Sequence, residues 1–192
     1  MIDINKYIDI VKKKLKDHPK RFQHILRVYE MAIELANHYN ISTEQVGLAA
    51  IFHDYAKYDS IEEQTKYLSS NEIENYKDTP VIYHAFSAAK VLEHEYNIKD
   101  KIILNAIKYH VWGHKEMDIV TKIVLISDKI EKGRTYSKAS YFRKLAFENL
   151  NLAIYEFLND NIIYLEKNNF TIHNEQKEVI LKLKEAINSE KN

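Results

Sequence analysis

Apolar residues recur at three- and four-residue steps along most of the chain, and no strand-like alternation bounded by turns interrupts them. Ile4, Ile8, Val11 and Leu15 predict a first short amphipathic helix. Pro19, whose fixed φ suits a first helical turn, opens a second that carries Phe22, Ile25, Val28, Ala32, Leu35, Ala36 and Tyr39. Ser42-x-x-Gln45 reads as a capping box for a third, running through Leu48, Ile51 and Phe52 into His53-Asp54. Thr79-Pro80 opens a helix through Val91, and Asp100 caps one ending near His110, with Gly113 just after. Asp118 caps another with Ile119, Ile123, Ile126 and Ile130, stopped by Gly133. Residues 139–168 predict a long helical stretch with a break at 149–151, and Asn174 caps a last helix through Ile187. The pattern predicts a single all-α domain, a helical bundle of about nine helices. An N-terminal helix (1–17) packs on the main domain (18–187), and residues 188–192 form a frayed end.

Composition narrows the chemistry. The chain has 192 residues, long enough to bury a full core without staples, and it has no cysteine. That excludes a disulfide scaffold, a Cys-type zinc site and a thiol nucleophile, and it fits a reducing compartment. Lys+Arg and Asp+Glu are both 28, so net charge points to neither an acidic nor a basic partner. The start, MIDINKYIDI, lacks the layout of a signal peptide, and the longest apolar stretch, 46–52, is far short of the ~20 residues of a membrane span. The expectation is a cytoplasmic protein with no membrane and no nucleic-acid partner; Lys12, Lys13, Lys14 and Lys16 read as a solvated helix face.

Six side chains, His24, His53, Asp54, His84, His110 and Asp128, fall about one helical hairpin apart and could converge at one end of a bundle. Imidazole plus carboxylate without sulfur suits Fe(II), Mn(II), Co(II) or Zn(II). Such an ion lowers the pKa of a bound water from ~15.7 towards ~7 and polarises a phosphoryl oxygen. On a helix, adjacent His53 and Asp54 diverge by ~100°, so both reach one ion only near a helix end. Lys57, nearly on the face of Asp54, can neutralise a phosphate under attack. Of the 28 basic side chains only four are arginine, and Arg21, Arg27 and Arg134 stand near His24 or Asp128. A guanidinium grips phosphate oxygens in pairs as lysine cannot, which points to an anionic, phosphorylated substrate. Single helix-face histidines such as His18, His38 and His94 read as surface or satisfied residues. His114 reads as a cap or a site residue, and Trp112 as core or as a platform for a nucleobase.

The ordered motifs Arg21-x-x-His24-x-x-Arg27-Val28, His53-Asp54-Tyr55-Ala56-Lys57, Tyr109-His110, Ser127-Asp128-Lys129-Ile130-Glu131-x-Gly133-Arg134 and Thr171-Ile172-His173 resemble the HD-domain superfamily of metal-dependent phosphohydrolases. Within it they resemble the YqeK family, over roughly residues 18 to 187. The resemblance implies an HD-type bundle and symmetrical cleavage of diadenosine tetraphosphate into two ADP. It implies iron held by His24, His53, Asp54 and Asp128. It also implies nucleotide contacts from Arg21, His24, Lys57, His84, His110, Asp128, His173 and the segment Arg134, Thr135, Tyr136 and Ser137. Asp54, Lys57, His84 and His110 are the expected catalytic residues. His84 and His110 either donate to a phosphate, the favoured role, or complete a second metal site with Asp54.

Two other readings stay open. The same centre could act on a nucleoside mono- or triphosphate or a cyclic dinucleotide, against which Tyr55-Ala56 counts, or the fold could be a non-catalytic nucleotide-binding module. A homodimer is open, since nothing in the sequence fixes oligomeric state.

Overall fold

A computed structural model describes residues 3–190. Eleven α-helices follow one another with no strand among the described residues. They are α1 (Ile4–Lys14), α2 (Pro19–His38), α3 (Thr43–Phe52), α4 (Ile61–Thr65), α5 (Ser70–Asn75), α6 (Tyr83–Tyr96), α7 (Lys101–Lys108), α8 (Ile119–Ile130), α9 (Ala139–Glu148), α10 (Leu150–Lys167) and α11 (Asn174–Ser189). No helix of the described residues is long and apolar enough to cross a membrane.

The helix at the centre is α3. Every residue from Val46 to Phe52 is buried, as expected of a helix that is apolar all round. Helices α1, α2, α7 and α8 pack around it. Gly47 permits the approach of α2, because a Cβ there would lie 3.0 Å from the Tyr29 ring. Surrounded in this way, α3 delivers His53 and Asp54 from its C-terminal end into the interior of the domain.

The count exceeds the expected nine by the two short helices α4 and α5, and both rest on serine capping boxes. Ser60 accepts from the Glu63 amide while Glu63 reaches back to the Ser60 amide, and Ser69 and Glu72 repeat the pattern. The box expected at Ser42 does not close: Ser42 makes no side-chain cap, and the Gln45 amide donates to Asp100 Oδ2 at 2.8 Å instead. Asp100 and Asp118 cap α7 and α8 as predicted. Asn149 accepts from the Leu152 amide at the predicted break between α9 and α10.

Three boundaries differ from expectation. A 3-10 turn (Pro80–Ile82) precedes α6, because the proline fixes one φ but three residues fit a tighter turn. Glu131, with ψ 155°, ends α8 before Gly133 is reached. His173, rather than Asn174, caps α11. Residues 188 and 189 continue α11, and Glu190 accepts from the side-chain amides of Asn149 and Asn151. The rest of the expected frayed end, 191–192, lies outside the described residues.

Candidate active site

Five helix ends meet at one buried point. His24 lies in the second turn of α2, His53 and Asp54 follow the last turn of α3, and His84 stands in the first turn of α6. His110 follows the end of α7, and Asp128 is in the last turn of α8. Helices α3, α7 and α8 run towards the site while α2 and α6 run away from it. All six side chains are buried, between 0% and 6% exposed as residues, so charges at this point are shielded from solvent.

Asp54 is the hub. Its Oδ2 lies 3.4 Å from His53 Nε2 and accepts from Arg21 Nη1 at 2.9 Å. Its Oδ1 lies 3.1 Å from His84 Nε2 and 3.7 Å from His110 Nε2. Asp128 Oδ1 approaches His24 Nε2 at 3.0 Å and His53 Nε2 at 3.9 Å. Lys129 Nζ and Arg134 Nη2 hold the two oxygens of Asp128, at 2.7 and 2.9 Å. Lys57 Nζ stands 3.3 Å from His84 Nε2 and 3.9 Å from Asp54 Oδ1.

The imidazoles are pre-aimed. Nδ1 of His53, His84 and His110 each sits 2.6–2.8 Å from the carbonyl three residues earlier, on Ala50, Val81 and Ile107. A carbonyl can only accept, so these Nδ1 atoms carry the proton, and in the neutral ring each Nε2 presents a lone pair to the site. The Nε2 atoms of His24 and His53 are buried without a hydrogen-bond partner, despite the nearby carboxylates. Buried donors and acceptors rarely go unpaired. A cation at this point would resolve both.

Part of the donor spacing fits that cation: His24 Nε2–Asp128 Oδ1 is 3.0 Å and His53 Nε2–Asp54 Oδ2 is 3.4 Å, while His53 Nε2–Asp128 Oδ1 is wider at 3.9 Å. Two atoms each ~2.0–2.2 Å from one ion lie roughly 3.0–3.6 Å apart at octahedral or tetrahedral angles. His24, His53 and Asp128 form one group of potential ligand atoms mutually within 4.8 Å, and His53, Asp54 and His110 form a second.

Charge in the site is polarised. Burial would raise the carboxyls of Asp54 and Asp128, but their neighbours overcome it: His53 and the other rings hold Asp54, and Lys129 and His24 hold Asp128, well below the carboxylate range. Burial works against a charged His53, yet Asp54 and Asp128 raise it above its ordinary value. Burial also lowers His84, with Lys57 assisting, and pushes His110 down to about 3, with His53 and His84 assisting. Both rings are therefore neutral in the substrate-free site and accept at Nε2. Lys57 is lowered by burial and by Lys129 and Arg21.

The remaining sequence candidates are placed differently. Arg134, Tyr136 and Ser137 line a cleft of about 820 Å³ that begins at Lys129, and Phe157 and Tyr164 of α10 form its far wall. Thr135 is exposed on the same turn. His173 is turned towards the Tyr76 and Trp112 rings and the Asn75 carbonyl, and not towards the six-residue cluster. Trp112 is 4% exposed and stacked on His173, which makes it core and closes its face to a base. His114 stacks on Tyr109 and accepts from the Glu116 amide, while His18 and His94 stack on Tyr58 and Tyr67. Sequence reasoning takes Lys129 and Glu131 only as members of the motif around Asp128 and assigns Arg143 no role. Glu131 accepts from Arg27, and Arg143 donates to the carbonyls of Ile130 and Arg134. The scarcity of arginine was a usable signal, since all four arginines surround this site.

A family model described as the HD domain matches residues 21–133, which contain all six converging side chains. The chain belongs to the HD-domain family. HD proteins are metal-dependent hydrolases, in keeping with the His/Asp groups above. The chain is 35% identical over 179 residues, 90% of either chain, to a protein of Staphylococcus aureus named bis(5'-nucleosyl)-tetraphosphatase, symmetrical. A protein of the same name from Halalkalibacterium halodurans is 37% identical over 172 residues, 88% of this chain and 90% of its own. Among solved structures, a predicted HD superfamily hydrolase involved in NAD metabolism from Clostridium acetobutylicum superposes with a TM-score of 0.89 at 28% identity. That match covers 97% of this chain and 99% of the other.

Proposed function

We propose that this HD protein hydrolyses symmetrical dinucleoside tetraphosphates, cutting diadenosine tetraphosphate between its central phosphates to give two ADP. The observation that carries it is the buried convergence of two carboxylates and four imidazoles in which two Nε2 atoms face the centre unpaired. The names of the relatives support the substrate.

His24, His53, Asp54 and Asp128 would hold one divalent ion, iron in our proposal, with manganese, cobalt or zinc compatible with the same donors. Bound there, the ion supplies Lewis acidity that acidifies water and polarises a phosphoryl oxygen. Arg21 and Lys57 carry the positive charge that faces the phosphate chain. The site excludes bulk water, so these charges act in a low-dielectric setting. One nucleoside would lie in the cleft beside Lys129 and Arg134, where Tyr136 and Phe157 offer ring faces and Ser137 a hydroxyl.

His84 and His110 accept in the free site. A phosphate dianion beside them favours their protonated form, in which both ring nitrogens donate. In that form they stabilise charge on the departing ADP. Their inward lone pairs, together with Asp54 Oδ1, favour a second reading in which they ligate a second ion. We also place the enzyme in the cytoplasm, where a cysteine-free chain and a nucleotide substrate are both at home.

Incubation of the purified protein with diadenosine tetraphosphate and Fe(II) or Mn(II), read by mass spectrometry, tests the proposal. ADP as sole product is expected; AMP plus ATP would replace the symmetric cut with an asymmetric one.

A further inference from the structure

Three of the four imidazoles in the site are oriented by carbonyls of their own helix ends, but His24 is not. Its Nδ1 lies 3.1 Å from Oε1 of Glu131, 107 residues further along the chain. Glu131 is 2% exposed, and its other oxygen accepts from Arg27 Nε at 2.6 Å and from the Gly133 amide. Arg27 Nη2 also reaches Oε1, at 3.4 Å. Arg27 lies three residues after His24 on α2, so ring and guanidinium share one face of that helix. The backbone leaves α8 at Glu131 in an extended conformation, from which the side chain reaches α2. Gly133 leaves room for the grip, because a Cβ there would stand 2.5 Å from Arg27 Nε and 2.8 Å from Cζ. Arg143 pins the same turn through the carbonyls of Ile130 and Arg134, at 2.6 and 2.8 Å.

We propose that Glu131, gripped by Arg27 across Gly133, is a positioning residue that holds the His24 ring with Nε2 aimed at the ion. The proposal rests on the metal-hydrolase reading in taking His24 as a ligand, and it is independent of the substrate. A neutral imidazole has one lone pair. A carboxylate that accepts from Nδ1–H leaves that lone pair on Nε2 and makes it a stronger donor to a cation. Elsewhere in the site a backbone carbonyl does this, and no substitution of the orienting residue removes it. At His24 the device is made of side chains, so mutation can dismantle it.

The test is equilibrium binding of Mn(II) or Co(II) alone to the metal-free full chain, by competition with a coloured chelator. Far-UV circular dichroism and the Tm of the metal-free protein are recorded beside it. Glu131→Ala is expected to weaken metal binding by about 10–100-fold, the usual cost of losing the partner that orients a ligating histidine. Arg27→Ala and Gly133→Ala should give smaller losses in the same direction. The Arg27→Ala/Glu131→Ala double variant should bind no more weakly than Glu131→Ala, because Arg27 acts through Glu131. Glu131→Gln, which keeps an acceptor oxygen, should recover part of the affinity. If Glu131→Ala binds within about twofold of the parent while His24→Ala is weakened, the proposal is overturned and Glu131 merely ties the turn. If His24→Ala binds like the parent, the metal reading has failed and takes this proposal with it. Should Glu131→Ala lose its helical signal, Glu131→Gln and Arg27→Ala decide by the same criterion.

Discussion

The site has two halves built on different principles. His53, His84 and His110 take their orientation from carbonyls three residues away, so the helix ends that carry them also aim them. His24 and Asp128 take theirs from long charged side chains, Glu131 and Arg27 across more than a hundred residues of chain, and Lys129 and Arg134 beside Asp128. The first half comes with the fold: once α3 and α7 end and α6 begins where they do, three Nε2 atoms point inward. The second half needs correct tertiary packing and correct charge. It is therefore the half whose orienting contacts a substitution can remove.

Asp54 joins the halves, with both oxygens against rings of the first and Oδ2 also 3.9 Å from His24 Nε2, and its removal should have the largest effect. Asp54→Ala is expected to abolish turnover and bound metal while the far-UV helical signal stays nearly native; an active variant with full metal occupancy would move the centre elsewhere. His110 probes the backbone-anchored half. His110→Ala should lower kcat about 10²–10⁴-fold, the range for loss of a general acid, with metal per chain unchanged. A halving of bound metal would instead make this half a second ion site. Arg134 probes the side-chain-anchored half. Its Nε donates to the Asp128 carbonyl and its Nη2 to the Asp128 carboxylate, both at 2.9 Å. Arg134→Lys keeps the charge and loses the paired geometry, so kcat/KM should fall by about 1–3 kcal/mol in transition-state terms. Kinetics equal to the parent's would show that Asp128 is held without it.

A last effect is expected on acid stability. His110 titrates at about 3 in the folded protein against 6.5 as a free side chain, because burial and the neighbouring rings disfavour its charge. Between those values the unfolded chain binds a proton that the folded one does not, so stability rises with pH. The contribution is complete above about pH 6.5 and is lost as pH falls towards 3, by at most about 1.4 kcal/mol per pH unit. His53 is raised and works in the opposite sense, losing its contribution as pH climbs past its folded value. Comparing the metal-free parent with His110→Asn isolates the first effect. Urea melts near pH 5 and pH 6.5 should diverge less in the variant, and equal divergence would clear His110.

The same division explains what could be read from the sequence. The six converging residues were legible because hairpin spacing survives in the chain, and so were the caps at Asp100 and Asp118 and the break at 149–151. Helices α4 and α5 were not, although their Ser-x-x-Glu boxes at Ser60 and Ser69 are of the kind credited to Ser42. At five and six residues they are too short to show a hydrophobic period, so only the caps mark them. The Ser42 box fails because Asp100, 55 residues away, takes the Gln45 amide. Trp112 and His173 were each legible as residues of interest, for separate reasons, but not as each other's partner. Glu131 was legible as part of the motif around Asp128, but its hold on His24 was not, because that partner lies 107 residues away and meets it only once α2 is packed beside α8.

The arginines carry one more consequence. Arg21, Arg27, Arg134 and Arg143 are the chain's whole complement, and each binds Asp54, Glu131, Asp128 or the turn between α8 and α9. Lysines are scattered over the rest of the surface. A dicarbonyl reagent selective for guanidinium groups thus meets one wall of this protein and little else. Ordinary covalent labelling becomes a footprint of the site, with whatever occupies the site shielding it.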